Sequence, residues 1–266
     1  MFIVVGERIN TSRKKVQEAV ANQDIHYIKD DVTKQQAAGA HYIDVNAGAR
    51  IGYEKQDMEW LLEIIQEAVS IPLCLDSPDP EVLEMAYGMV KDRPMINSIS
   101  LEKERYEAMM PFLKGRNCSV VALCMDDTGM PKGAQDVIDR AKRLVKGLED
   151  IGIGRESIFI DPLIQPISVD TSKGIMAIDS VSGIMKELPG VHTICGLSNI
   201  SYGLRQRKII NRTLLSLLMY AGLDAAIIDP LDDKIMAALK TTEMLMGNDD
   251  YCAQYLKGVR AGQIAS

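Results

Sequence analysis

Histidine and large aromatic residues are scarce in this 266-residue chain, which has three histidines, one tryptophan and three phenylalanines. His26, His41 and His192 fall in a helix-like segment, before an apolar run and at the start of another, so they offer no clustered imidazole set for a transition metal. The five cysteines (Cys74, Cys118, Cys124, Cys195, Cys252) are scattered and mostly sit inside apolar runs. That spacing makes neither a disulfide framework nor a metal knuckle, and most of them read as small buried hydrophobes. No dense Lys/Arg stretch occurs, and the formal charge is −7. Nucleic acid is therefore excluded as the main partner, because phosphate neutralisation needs a concentrated basic face. Long apolar runs are missing too. The start, MFIVVGERIN, is broken by Glu7 and Arg8, which excludes a signal peptide or membrane span there and leads us to expect a soluble, cytoplasmic protein with no membrane partner.

No low-complexity segment or Pro/Gly/Ser-rich linker divides the chain, so residues 1–266 are expected to form one domain. Short apolar runs alternate with longer amphipathic ones. Eight runs read as strands: 2–5, 42–45, 71–75, 94–96, 119–125, 157–160, 191–197 and 224–228. Several are nearly continuous, as strands buried on both faces should be. Between them, apolar residues recur at three- and four-residue spacing over 57–69, 80–90, 134–149, 175–187 and 211–221, which predicts helices. Eight such units predict an α/β fold, a single (β/α)8 TIM barrel. The competing open doubly wound sheet expects a Gly-rich phosphate turn after its first strand, and Gly6-Glu7-Arg8-Ile9-Asn10 lacks that spacing.

Nearly every predicted strand ends in Asp or Asn: Glu7 with Asn10, Asn46, Asp76, Asn97, Asp126, Asp161, Ser198 with Asn199, and Asp229. In a barrel these positions share the C-terminal rim, where active sites of the fold are assembled. Any one of them could be a turn or helix cap. As a set they form a ring of carboxylates and carboxamides with only Arg8 as a nearby cation. Such a ring suits a ligand rich in N–H donors, such as the guanidine-like edge of a pterin, which a carboxylate accepts through two parallel hydrogen bonds. Clustered Asp oxygens would equally suit magnesium or calcium. The residues alone leave both open.

The motifs GERIN (6–10), DVNAG (44–48), LCLDS (73–77), MINS (95–98), IDPLI (160–164), GLSN (196–199), INRT (210–213) and GLDAAI (222–227) resemble the methyltetrahydrofolate:corrinoid protein methyltransferases, from the first strand to about Tyr251. The resemblance implies a pterin-binding barrel, a homodimer, with tetrahydrofolate or methyltetrahydrofolate as substrate. It implies no bound metal of its own, since the cobalt corrinoid is carried by a partner protein that docks transiently at the barrel mouth. The family's pterin-binding residues fall on Asp76, Asn97 and Asp161, and its catalytic asparagine on Asn199, with Gly196 and Ser198 in the same loop. Asp44, Asn46 and Arg207 match further pocket positions. Tyr202 departs from a polar amide, and the loop 162–174 is individual to this chain.

On that resemblance, methyl passes between N5 of the folate and the cobalt, in a direction that the sequence leaves open, and a carboxamide N–H of Asn199 is expected to donate to N5 as charge develops there. Asp76, Asn97 and Asp161 would fix the pterin plane. A dihydropteroate synthase-like enzyme is the rival, but its Asn-rich start ending in Asp-Ser-Phe and its Ser-Thr-Arg-Pro-Gly loop are missing. Zinc-dependent thiol methyltransferases would need Cys or His ligands at the mouth, and there is no adjacent Cys-Cys pair. A folate-binding subunit without catalysis is the alternative from another class. The fifteen methionines and Trp60 read as packing, and the apolar run 214–222 as a candidate dimer face.

Overall fold

The computed structural model describes residues 2–264. Its strands are β1 (Ile3–Asn10), β2 (Tyr42–Asn46), β3 (Leu73–Asp76), β4 (Met95–Leu101), β5 (Ser119–Asp126), β6 (Ile158–Asp161), β7 (His192–Thr193) and β8 (Ala225–Ile228). They form one sheet in the order β7-β6-β5-β4-β3-β2-β1-β8, parallel throughout. Closure between β7 and β8 is made differently. Ile227 N donates to Cys195 O at 2.9 Å, Gly196 and Ile227 form a parallel bridge, and one Asp224 carboxylate oxygen accepts from Thr193 N at 2.9 Å. The predicted barrel is present, with its seventh strand reduced from the expected 191–197 to two residues plus that bridge.

The surrounding helices are α1 (Lys14–Ala21), α2 (Ile25–Ala37), α3 (Glu54–Ala68), α4 (Pro80–Met89), α5 (Lys103–Leu113), α6 (Ala134–Asp150), α7 (Lys173–Glu187), α8 (Arg207–Ala221), α9 (Asp233–Leu245) and α10 (Ala253–Arg260). Their ends follow local chemistry. Asp79 caps α4 by accepting from Glu81 N, with Pro80 in the first turn, where its missing N–H costs nothing. Asp24 and Asp232 cap α2 and α9 in the same way. Gly222 stops α8 at φ +114°, a conformation that side chains resist.

Alternation along the strands sorts the side chains into two cores. Val5, Cys74, Met95, Val121, Phe159, Ile194 and Ala225 pack together inside the barrel. Their neighbours, such as Leu75, Ile96, Val120, Ile158 and Ile160, face outward onto the helices and join Leu61, Leu62, Leu83 and Leu144. A second outer cluster, including Val4, Leu215, Leu218 and Ala226, seals the β8 side. Each such fully buried aliphatic side chain contributes about 1.5–3 kcal/mol, so the inward and outward faces are both strongly specified. Gly6 is required where α2 crosses β1, because a Cβ there would meet the buried Gln35 carboxamide. Trp60 packs against the outer core as expected, and Cys74, Cys118, Cys124 and Cys195 are buried free thiols.

Candidate active site

Side chains alternate across a strand, so a residue two positions beyond an inward one also points inward. Val5, Tyr42, Cys74, Met95, Phe159 and Ile227 belong to the inner core. Two residues on from each stand Glu7, Asp44, Asp76, Asn97 and Asp161, which the strands therefore project into the barrel mouth, and Asp229, one residue past the end of β8. Asn46, four residues beyond Tyr42, joins them. Strand register then places three of them side by side, with Asn46 opposite Asp76 and Asp76 opposite Asn97. Adjacent strands lie about 4.8 Å apart, so the row makes a polar shelf the width of a small flat heterocycle. Asp161 rises from β6, opposite Leu123 of β5.

Hydrogen bonds orient this shelf. Asn46 Nδ2 donates to Asp76 Oδ2 at 2.8 Å while Asn46 Oδ1 accepts from Gly48 N at 3.1 Å. The carboxamide orientation is thus fixed, and one Asp76 oxygen is left for a ligand. Asp44 lies deeper, 3% exposed, with Oδ1 unpartnered. Burial holds its carboxyl well above the usual range, and the charge of Asp76 adds to this. Asp76 is also raised by burial, against the pull of the Asn46 hydrogen bond and Arg105, while Glu54 pushes it up. Burial lifts Asp161 to about 7, and a single backbone donor, Leu163 N at 2.8 Å, works against that rise. Asp161 is therefore poised between acid and base near neutral pH.

On the opposite side, the chain after β7 forms a short 3-10 turn, Leu197–Ser201, that carries Asn199. Asn199 Nδ2 lies over Gly196, where a Cβ would come within 3.5 Å of it. Arg207 pins this turn by donating to Ser198 O at 2.7 Å and Ser201 Oγ at 3.0 Å. Tyr202 is 68% exposed on the rim, and its carbonyl accepts from Ser168 Oγ at 2.7 Å, which ties the β7 loop to loop 162–174. Every expected site residue thus lies on the C-terminal face, in two groups: the shelf with Asp161, and the Asn199 turn with Arg207. Two other strand ends are local. Asn10 accepts from Ser12 N, and Asp126 accepts from Thr128 and pairs with Arg140 and Arg143.

More cations stand at the mouth than Arg8, the one expected there. Arg105 of α5 donates to the carbonyls of Ser77 at 3.0 Å, Pro78 and Ser98 at 2.5 Å, which locks the ends of β3 and β4 together behind Asp76. Arg13 lies 3.8 Å from Glu7 and 3.7 Å from Asp229, and Arg8 bridges Asp31 and Asp229 at 2.7 and 2.9 Å. Arg8 and Arg13 touch the ring, and Arg105 supports it from below. Among the described residues no group of His, Cys, Asp and Glu is arranged to hold a metal ion.

Fold and mouth together define a parallel α/β barrel with a row of acids and amides facing inward at its C-terminal end. The chain belongs to the pterin binding enzyme family, whose sequence profile matches residues 6–229. It is 34% identical over 99% of its length to the methylcorrinoid:tetrahydrofolate methyltransferase of Eubacterium limosum, covering 98% of that protein. It is also 32% identical over 241 residues to the methionine synthase of Mycobacterium tuberculosis, where 85% of this chain spans 20% of that much longer protein. In structure it is similar to the dihydropteroate synthase of Coxiella burnetii, with a TM-score of 0.71 at 15% identity over 91% of this chain and 94% of the other. The similarity to that of Stenotrophomonas maltophilia gives 0.67 at 15%, over 94% and 93%. At that identity the likeness concerns the fold.

Proposed function

We propose that the chain, as one pterin-binding domain, is an enzyme that moves the N5-methyl group between tetrahydrofolate and the cobalt of a corrinoid held by a separate protein. One observation carries this reading: the in-register row Asn46–Asp76–Asn97, with Asp161 across the mouth, in a chain related end to end to a methylcorrinoid:tetrahydrofolate methyltransferase. Asp76, Asn97 and Asp161 accept from and donate to the pterin edge and set its plane, with Asp44 and Asn46 behind them. Gly196 and Ser198 bring Asn199 over the pterin, and Arg207 keeps its turn in place. The Asn199 carboxamide then donates to N5, which stabilises the charge that N5 carries during transfer. The corrinoid protein docks over the rim, where Tyr202 is exposed. The enzyme works in the cytoplasm as a homodimer. Exposed apolar side chains on α8 and α9, Tyr220 at 84% and Leu245 at 77%, support that assembly, whereas Leu214, Leu215, Leu218 and Met219 of the run 214–222 are buried in the chain's own core.

The test is calorimetric titration with methyltetrahydrofolate, wild type beside Asp76→Ala, followed by anaerobic absorbance of cob(I)alamin. Saturable folate binding that Asp76→Ala weakens, with methyl transfer in the wild type, is the expected result. A wild type that binds no folate overturns the reading.

A further inference from the structure

Glu7 is the mouth carboxylate that the pterin shelf does not employ. It projects inward from β1 beside β8, its side chain is 27% exposed, and it makes no hydrogen bond to any described residue. The groups facing it are Arg13 at 3.8 Å, Asp229 just past β8, Asp44 on β2, Arg8 on its own strand and Arg207 at the start of α8. Arg8 is already committed to Asp31 and Asp229, and Arg207 to the Asn199 turn. Glu7, Arg13 and Asp229 line a cavity of about 160 Å³ whose other wall is Leu197 and Ser198, with Lys208 alongside, paired to Asp232 at 2.9 Å. The cavity thus places a carboxyl held by a long ion pair to Arg13 alone against the turn that carries Asn199.

Resting on the proposed methyltransferase reading, we infer that Glu7 is the proton-exchanging group for N5 of the folate. In transfer to folate, the N5 lone pair forms the new N–C bond to the methyl and the cobalt–carbon bond breaks with its pair left on cobalt as cobalt(I). The N5 proton passes to the Glu7 carboxylate. In the opposite direction the cobalt(I) pair forms the cobalt–carbon bond, the C–N5 pair stays on nitrogen, and protonated Glu7 gives N5 its proton. Asn199 can donate a hydrogen bond to N5 but has no proton to give up at neutral pH, so the two residues do different work. Burial lifts Glu7 to about 7, with Arg13 pulling down and Asp229 pushing up, which suits a group that must act in both directions. As a base it is active above that value, so transfer to folate rises with pH through about 7. Transfer from folate falls over the same range.

The experiment uses the whole chain, wild type and Glu7→Gln, with methylcob(III)alamin and tetrahydrofolate as probes under anaerobic conditions. Circular dichroism and calorimetric folate binding are measured first, then single-turnover rates from pH 5.5 to 9. In the expected result Glu7→Gln folds, binds folate within a few-fold of wild type, transfers roughly 10²-fold more slowly above pH 7 and loses the inflection. A Glu7→Gln that keeps the wild-type rate and inflection refutes the inference while leaving the functional reading standing. So does a folded variant that loses folate binding, because Glu7 is then a binding residue. Should Glu7→Gln fail to fold, the wild-type profile decides: a rate flat across pH 6–8 overturns the assignment. No folate binding in the wild type refutes both readings together.

Discussion

Arg105 offers the sharpest test of how the site is built, because it touches only backbone yet stands behind the residue expected to grip the pterin. Replacing it by methionine keeps an unbranched apolar stem and removes the charge and every donor. Four charge-assisted bonds to the carbonyls of Ser77, Pro78 and Ser98 are lost. Each such bond contributes about 1.5–3 kcal/mol when buried. Arg105 is only half-buried and water re-enters, so the expected total is about 2–4 kcal/mol. For a protein of this size that lowers Tm by about 5–15 °C. The second effect concerns Asp76. Arg105 pulls its pKa down against burial, so the carboxylate, the form that accepts from a pterin N–H edge, persists to lower pH with Arg105 present. Folate binding falls as pH drops through the Asp76 pKa, and Arg105→Met moves that fall to higher pH. Differential scanning calorimetry and titrations with methyltetrahydrofolate from pH 5 to 8 read both. An unchanged Tm with an unchanged acid limb would falsify the latch and the charge argument alike.

Four further outcomes follow from other parts of the structure. Asn199→Ala is expected to slow single-turnover methyl transfer roughly 10²–10³-fold while folate affinity changes far less; equal losses in both would make it a binding residue. Asp224→Ala removes acceptors from His192 Nδ1 at 2.6 Å and Thr193 N at 2.9 Å, and urea unfolding should show a loss of about 2–4 kcal/mol. The Asp224 hydrogen bond raises the His192 pKa, so the pair's stabilisation is full below the unfolded value and declines as pH rises through the folded one; the gap between wild type and Asp224→Ala should narrow above that range, leaving the share of the Thr193 bond. Gly222→Ala adds a Cβ 2.9 Å from Met185 Cγ at φ +114°, and should cost about 1–3 kcal/mol by thermal melting. Tyr220→Glu with Leu245→Glu should yield a monomer by light scattering with folate binding intact; a persistent dimer places the interface elsewhere.

The barrel was legible because parallel strands buried on both faces leave near-continuous apolar runs, and seven of the eight predicted strands lie on observed ones with comparable length or shorter. The seventh run, 191–197, was overread. Its apolar residues are buried, but Ile194 and Cys195 bond singly to their neighbours, and the chain then turns into the short helix that carries Asn199. Burial and strand pairing usually coincide, and here the demand for a site loop separates them. β1 and β4 run longer than predicted, to Asn10 and Leu101, and each carries a register shift near its end. Such irregularities leave no periodic mark in sequence, yet they lie where each strand enters the mouth.

Within the site, parity separates two kinds of strand-end acid that look alike in sequence. Asp76 is two residues from inward Cys74 and Asp161 two from inward Phe159, whereas Asp126 is three from inward Leu123. Asp126 accordingly turns out to Thr128 and Arg140. Counting twos from the inner core would have excluded it, and would have raised Glu7 and Asp229 to the same standing as the shelf. No count reaches Arg105, whose role depends on a long side chain finding carbonyls 27 or 28 residues away. That arginine changes the chemistry of the ring. The acids that share this mouth would raise one another's pKa values. Arg105 draws Asp76 down, while Arg8 and Arg13 surround Asp229. Asp44, buried with no cation beside it, stays well above the usual carboxylate range, while Asp161 and Glu7 settle near 7. Carboxyl groups in one mouth thus hold their protons with different strength, and those near 7 can exchange them at neutral pH. Environment, not residue type, assigns those roles.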